Sequence, residues 1–144
     1  MIRSLKLTDL PQILLIEEAV HISPWTESTF KTCLHSSCAG WVIELDRKII
    51  AFLVASLHED ECHILNIGVA REHQRQGFGR ELMLHALADL TVRRVKVVYL
   101  EVRRSNTRAL SLYNQLNFKK IGERKAYYPA PEGAEDALIY AKLL

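Results

Sequence analysis

Hydrophobic positions along the chain switch between two spacings, and each switch falls at a cluster of turn residues. Ile2 to Leu7 alternates well enough for a first strand. Thr8-Asp9 then offers a capping oxygen ahead of Leu10-Pro11. A helix carrying Ile13, Leu14, Ile16, Glu17 and Val20 follows, until Ser23-Pro24-Trp25 breaks it. Glu27 to His35 reads as a second short helix, with Thr26 as its cap. Trp41 to Leu45 and Lys48 to Ala55 are predicted strands of a hairpin turning at Asp46-Arg47, and Glu59-Asp60 leads into another strand, Cys62 to Val69. A helix starts at Gly77-Phe78-Gly79 and keeps Leu82, Leu84, Leu87 and Leu90 at roughly helical spacing. The β-branched run Val95 to Val102 is a strand and Thr107 to Leu116 a helix. Lys119 to Tyr128 and Ala137 to Leu143 are the last strands, around the turn-rich Pro129 to Gly133. The order βααβββαβαββ predicts a mixed α/β sheet in one domain over residues 1–144.

Within this order, Ile64 to Leu84 reads as strand, basic glycine-bearing loop and helix start. The first N–H groups of a helix lack intrahelical partners and carry the positive end of its dipole, so a phosphate placed there collects several hydrogen bonds. A side chain at Gly77 or Gly79 would hold the phosphate off the backbone, and glycine also permits positive φ. Neither Gly-x-Gly-x-x-Gly nor Gly-Lys-Ser/Thr occurs here, so neither a dinucleotide fold nor a P-loop is supported. What the loop does carry is Gln74-Arg75-Gln76-Gly77-Phe78-Gly79. That pattern resembles the pyrophosphate loop of the GCN5-related N-acetyltransferases (GNAT), which bind acetyl-coenzyme A.

Acyl transfer from a thioester to an amine needs a held donor, a neutral amine, hydrogen-bond donors for the oxyanion and a proton for the leaving thiolate. Backbone N–H groups around Ile67, Gly68 and Val69 would serve the oxyanion if a bulge opened the strand. Gly68 makes such a distortion cheap, or is simply a packing choice. Glu101 is the only acidic residue in the apolar strand Val95 to Val102, where a carboxylate costs free energy unless it is paired or solvated by a site. It is a candidate base, or else the partner of Arg103 or Arg104. Tyr113 is a candidate acid on the stripe Ala109, Leu110, Tyr113, Leu116, or else a core aromatic. A tyrosine has a reference pKa of about 10, above that of a thiol at about 8.5. Asn106 is an N-cap whose amide could also meet a pantetheine arm.

More of the chain carries the same likeness. Leu100 to Asn106, Ala109, Leu112-Tyr113, Arg124, Tyr127-Tyr128-Pro129, Glu135-Asp136-Ala137 and Trp25 after Ser-Pro resemble the branch of this family that acetylates the N-terminal alanine of a small-subunit ribosomal protein. The resemblance implies a single acetyltransferase domain with a mixed, mostly antiparallel sheet flanked by helices. It implies Glu101 as general base and Tyr113 as general acid. It also implies acetyl-CoA contacts from Ile67, Gly68, Val69, Arg75, Gln76, Gly77, Phe78, Gly79, Arg80 and Asn106. Tyr127 and Tyr128 would grip the peptide N-terminus, and Glu135-Asp136 would meet its basic residues. Asn117-Phe118 departs from the family's frequent Gly-Phe, but asparagine can supply the left-handed conformation that a helix end wants there. A small-molecule amine acetyltransferase on the same fold, or a non-catalytic acyl-CoA sensor, are the alternatives.

Composition narrows this little. Lys plus Arg is 19 against 17 for Asp plus Glu, a net of +2, which lacks the clustered basicity of a dedicated nucleic-acid binder. No apolar run approaches a membrane span and no leader pattern opens the chain, so a cytoplasmic enzyme is expected. Cys33, Cys38 and Cys62 read as ordinary thiols, and no metal site is expected. His63 abuts the buried run and reads as a packed or edge histidine.

Overall fold

A computed structural model describes residues 1–144. Its elements are β1 (Ile2–Ser4), α1 (Leu10–Val20), α2 (Glu27–Leu34), β2 (Cys38–Leu45), β3 (Lys48–His58), β4 (Glu61–Val69), α3 (Phe78–Val92), β5 (Val97–Arg103), α4 (Thr107–Gln115), β6 (Lys119–Ala130) and β7 (Gly133–Leu143). The seven strands form one sheet in the order β1-β2-β3-β4-β5-β7-β6. Every neighbouring pair is antiparallel except β4 and β5, which are parallel and joined by α3. This is the expected mixed, mostly antiparallel sheet.

Each face of the sheet has its own core. On one, Leu82, Met83, Ala86, Leu87 and Leu90 of α3, Tyr113 of α4 and Leu116 just after it pack on Trp41, Ile43, Leu53, Val98 and Leu100. On the other, Leu10, Ile13 and Ile16 of α1 and Phe30 of α2 pack on Val42, Phe52 and Val54. The expected stripe on α3 was wrong at Leu84, which is 45% exposed. It lies about 200° around the helix from Leu82, and Met83 takes the inward place.

Several local signals appear as read. Thr26 caps α2 through the Thr29 N–H, and Asn106 caps α4 through the Ala109 N–H. Asn117 closes α4 with φ 66°, the left-handed conformation its position needs. Asp9 does not cap α1. Its carboxylate accepts both Arg3 guanidinium nitrogens at 2.9 Å and the Lys6 N–H at 2.8 Å, because a bidentate charged pair outcompetes a single capping bond. Those bonds, Arg3 first, hold the Asp9 carboxyl below the usual carboxylate range. Two of the three expected thiols are also corrected. Cys33 at the end of α2 and Cys38 at the start of β2 form a disulfide across a Cα–Cα distance of 5.9 Å, and Cys62 alone is free.

The strands run longer than their apolar cores. β2 and β3 stay paired out to Cys38↔Ser56, and β6 and β7 pair up to Ala130↔Gly133. Pro129 sits within β6 at no cost to the sheet, since β6 is an edge strand.

Candidate active site

The site begins with one extra residue in β4. Val54 of β3 pairs with Asn66, yet the next residue, Ala55, pairs with Ile64, so Leu65 bulges out. Packing registers the slip. Cys62 and Ile64 lie in the α3-side core, whereas Gly68 and Ala70 face the α1 side, although all four share even numbering. Gly68 is not the bulge itself. A Cβ there would come within 2.7 Å of the Phe52 ring, so the glycine makes room for a core aromatic.

Past the bulge, β4 and β5 part. Their ladder runs from Glu61↔Val97 to Ile64↔Leu100 and stops, although β4 continues to Val69 and β5 to Arg103. The Ala70 N–H donates to the Ile50 carbonyl at 2.8 Å. Backbone groups alternate sides along a strand, so residues 66, 68 and 70 turn theirs toward β3. The N–H and C=O of Ile67 and Val69 therefore face the gap that β5 has left, and those of Gly68 belong to the sheet.

Glu101 is the first β5 residue beyond the last pair. Its side chain is only 12% exposed, with Nε2 of His63 and Nη2 of Arg124 each 3.7 Å away. Both distances exceed a hydrogen bond, which leaves the carboxylate's lone pairs free for another donor. The alternative, a structural pair with Arg103 or Arg104, does not occur. Arg103 binds Glu135 at 2.9 Å, and Arg104 binds Glu123 at 2.7 Å.

Two tyrosines stand nearby. Tyr128 is pushed up to about 12 by burial first and by the charge of Glu101 second. Tyr113 is buried beside Phe118 and is also pushed up to about 12, by burial first and Tyr128 second. Both phenols therefore keep their protons at neutral pH. Tyr127 is 49% exposed and packs edge-on against Tyr128 at 5.0 Å. Arg124 lies over its ring, as Arg103 lies over that of Tyr128. Both aromatics belong to β6, next to a register shift between Arg124 and Tyr128, and not to the turn between the strands.

The acidic pair expected to meet a basic peptide is already engaged. Glu135 accepts from Arg103 and Ser105, and Asp136 from the Ala126 N–H and Lys125. These bonds hold both carboxyls below their usual range.

On the far side of the gap, Gly77 takes φ 86° and caps α3, with Arg75 left-handed at φ 63° before it. A Cβ on Gly77 would meet nothing within 4 Å, so backbone conformation and the bare approach to the helix, not internal crowding, call for glycine there. A Cβ on Gly79 would make only ordinary contact, 3.7 Å from Val69. Around this turn, Phe78 packs edge-on to His73, the Gln76 amide donates to the Glu72 carbonyl, and Arg80 reaches Gln115. The turn has the backbone shape of an anion cradle, with the α3 dipole behind it. Asn106 spends its oxygen on the Ala109 N–H and keeps its amide nitrogen free.

Sequence reasoning missed one cluster. Glu17, 1% exposed, accepts the Asn66 amide at 3.0 Å and the Trp25 N–H at 2.8 Å, with Nε2 of His21 3.3 Å from its other oxygen. A charged residue one and four places after Ile16 and Ile13, on the apolar face of α1, was the available signal.

A strand pair opened by a bulge, a carboxylate at the opening and a helix-capping glycine turn beside it define an acyl-transfer fold. The chain belongs to the acetyltransferase (GNAT) family, whose model matches residues 6–118. It is 39% identical over 140 residues to the ribosomal protein bS18-alanine N-acetyltransferase of Escherichia coli K12, covering 97% of this chain and 95% of the relative. The enzyme of the same name from Haemophilus ducreyi is 33% identical over the whole of both chains. The crystal structure of the ribosomal-protein-S18-alanine N-acetyltransferase from Escherichia coli superposes with TM-score 0.96 at 38% identity, over 99% of this chain and 92% of that one. No helix of this chain is long and apolar enough to cross a membrane.

Proposed function

We propose that the chain transfers an acetyl group from acetyl-CoA to the α-amino group of the N-terminal alanine of ribosomal protein bS18, by direct attack within a ternary complex. The observation that carries the mechanism is Glu101, a nearly buried carboxylate with no hydrogen-bonded partner at the point where β4 and β5 separate. The names of the full-length relatives support the substrate.

In this reading the turn from Arg75 to Arg80, including Gln76, Gly77, Phe78 and Gly79, holds the pyrophosphate. Asn106 meets the pantetheine arm, and the thioester lies along the free edge of β4. Glu101 takes the ammonium proton, directly or through a water, and the amine attacks the thioester carbonyl. The demand on Glu101 is modest, because an α-amino group near 7.7–8.0 is already about a tenth neutral at pH 7. A lysine near 10.4 is not, which favours N-termini. The Ile67 and Val69 amides face the developing oxyanion. Tyr113 donates to the departing sulfur. Full transfer from a phenol near 12 to a free thiolate is uphill, so Tyr113 stabilises the departing sulfur through its hydrogen bond, and the proton that the attacking nitrogen loses as the amide forms replaces the one the phenol gives to sulfur. Tyr127 and Tyr128 wall the entrance for the peptide.

Coenzyme A release is the test, with acetyl-CoA and two peptides. One carries the free N-terminus of bS18; the other has that end blocked and an internal lysine free. Turnover on the first alone is expected. Turnover on neither, with acetyl-CoA still bound, would overturn the ribosomal reading in favour of small amines or a sensor.

A further inference from the structure

A base that takes a proton must hand it on, and the groups around Glu101 differ in whether they can receive one. Cys62 and Ile64 of β4 and Leu100 and Val102 of β5 point into the α3-side core, so His63 and Glu101 share the opposite face of the sheet. His63 pairs with Tyr99 across the β4–β5 ladder, two residues before Glu101, and its Nε2 lies 3.7 Å from Glu101 Oε1. Nη2 of Arg124 approaches the same oxygen, also at 3.7 Å, which leaves Oε2 to the substrate. Of the groups that face the carboxylate, the Arg124 guanidinium is always charged and the Tyr128 phenol keeps its proton, so neither takes one up at neutral pH. The imidazole can. Its side chain is 39% exposed, against 12% for Glu101. Beside it on that face lie Ser56 and His58 of β3, Glu61 of β4 and Tyr99 of β5, and none of them hydrogen-bonds to its ring.

We propose that His63 is a proton relay behind Glu101, which receives through that carboxylate the proton given up by the substrate ammonium and passes it to solvent. Before each cycle the ring is neutral, with its proton on Nδ1 and the Nε2 lone pair toward Glu101. An N–H bond of the ammonium breaks as an O–H bond forms on Glu101. That O–H bond breaks as Nε2–H forms, across one bridging water or after a small swing of the ring. The imidazolium then gives one proton to solvent, which restores the carboxylate and the neutral ring. A carboxyl near 4.3 is a poor final acceptor for a proton from an α-ammonium near 7.7–8.0, whereas an imidazole near 6.5 is closer both to that donor and to neutral pH. The second transfer also leaves an imidazolium beside a carboxylate, and those charges attract. His63 never touches the amine and acts only through Glu101, a role that rests on the acyl-transfer reading of this opening.

The test follows kcat at saturating bS18 peptide from about pH 7 to about pH 9.5 in wild type and in His63→Gln, whose amide cannot take up a proton. The ring is partly exposed and unbonded, so the variant is expected to fold. At pH 7 its kcat is expected to fall by about tenfold to a hundredfold, the reach of the roughly two-unit gap between a carboxyl and an imidazole. The loss should vanish toward about pH 9.5, where the α-amine is already neutral and needs no base. Imidazole added to His63→Ala should restore kcat at pH 7, and imidazole added to Glu101→Gln should not. An unchanged kcat at pH 7, or a loss equally deep at both ends of the range, overturns the proposal. If wild-type protein transfers no acetyl group to the peptide, the functional reading fails and NMR titration of the His63 ring decides. A titration that moves between wild type and Glu101→Gln sustains the coupling of the two groups, and one that stays put refutes it.

Discussion

The two halves of the β4–β5 seam solve opposite problems with one pair of strands. From Glu61 to Ile64 the strands are in register, and their side chains alternate into a closed core with Val98 at 0% and Leu100 at 1% exposure. From Asn66 to Val69 the partner strand is gone. There His21 Nε2 lies 3.0 Å from the Ile67 carbonyl and the Gln74 side-chain amide donates to that of Val69 at 2.9 Å, while the Ile67 and Val69 amides are left open. One half is held by burial, the other by a few named hydrogen bonds. On the proposed mechanism, stability and chemistry are thus separated along a single strand, divided by the bulge at Leu65, with only the outward ring of His63 crossing that line.

Mutations should separate along the same line. Glu101→Gln, in the open half, is expected to lower kcat by about a hundredfold to ten-thousandfold with the thermal midpoint barely changed, read by coenzyme A release and calorimetry. Leu100→Ala, one residue earlier in the closed half, is expected to do the reverse. It should cost about 2–5 kcal/mol in denaturant unfolding, while activity per folded molecule is largely retained. Tyr113→Phe is expected to lower kcat by about tenfold to a hundredfold, with binding of acetyl-CoA kept, as isothermal titration would show. Gly77→Ala should cost about 1 kcal/mol through its φ of 86° and weaken acetyl-CoA binding without touching kcat at saturation.

Away from the seam, Asp9 supplies a pH test with a defined sign. Its folded carboxyl is held below the unfolded value of 3.8, so its contribution is fully present above that value. Stability should fall as pH drops from about 5 through the lowered value, and Asp9→Asn should flatten that limb of the unfolding curve.

Local features were legible in the chain. The glycine turn before α3, the caps at Thr26 and Asn106 and the left-handed Asn117 each follow from a residue's own conformational preferences. Glu101 stood out because an acidic residue in a β-branched strand is anomalous by itself. What stayed hidden depends on partners far along the chain. His63 is 38 residues from Glu101, and no pattern in Ile64-Leu65-Asn66-Ile67 tells which residue will bulge. Glu17 meets Asn66 across 49 residues. Asp9 looked like a cap because nothing in its neighbourhood reveals that Arg3, brought in by β1, would claim it. Cys33 and Cys38 looked like separate thiols because the meeting of α2 with β2 is a tertiary fact.

The central claim is that the open half of this seam is an acetyl-transfer site with Glu101 as its base. Mass spectrometry of the bS18 N-terminal peptide, incubated with acetyl-CoA and either wild-type or Glu101→Gln protein of matched acetyl-CoA affinity, tests it most directly. The account predicts one acetyl group on the α-amine with wild type and almost none with the variant. Equal acetylation by both proteins would contradict it.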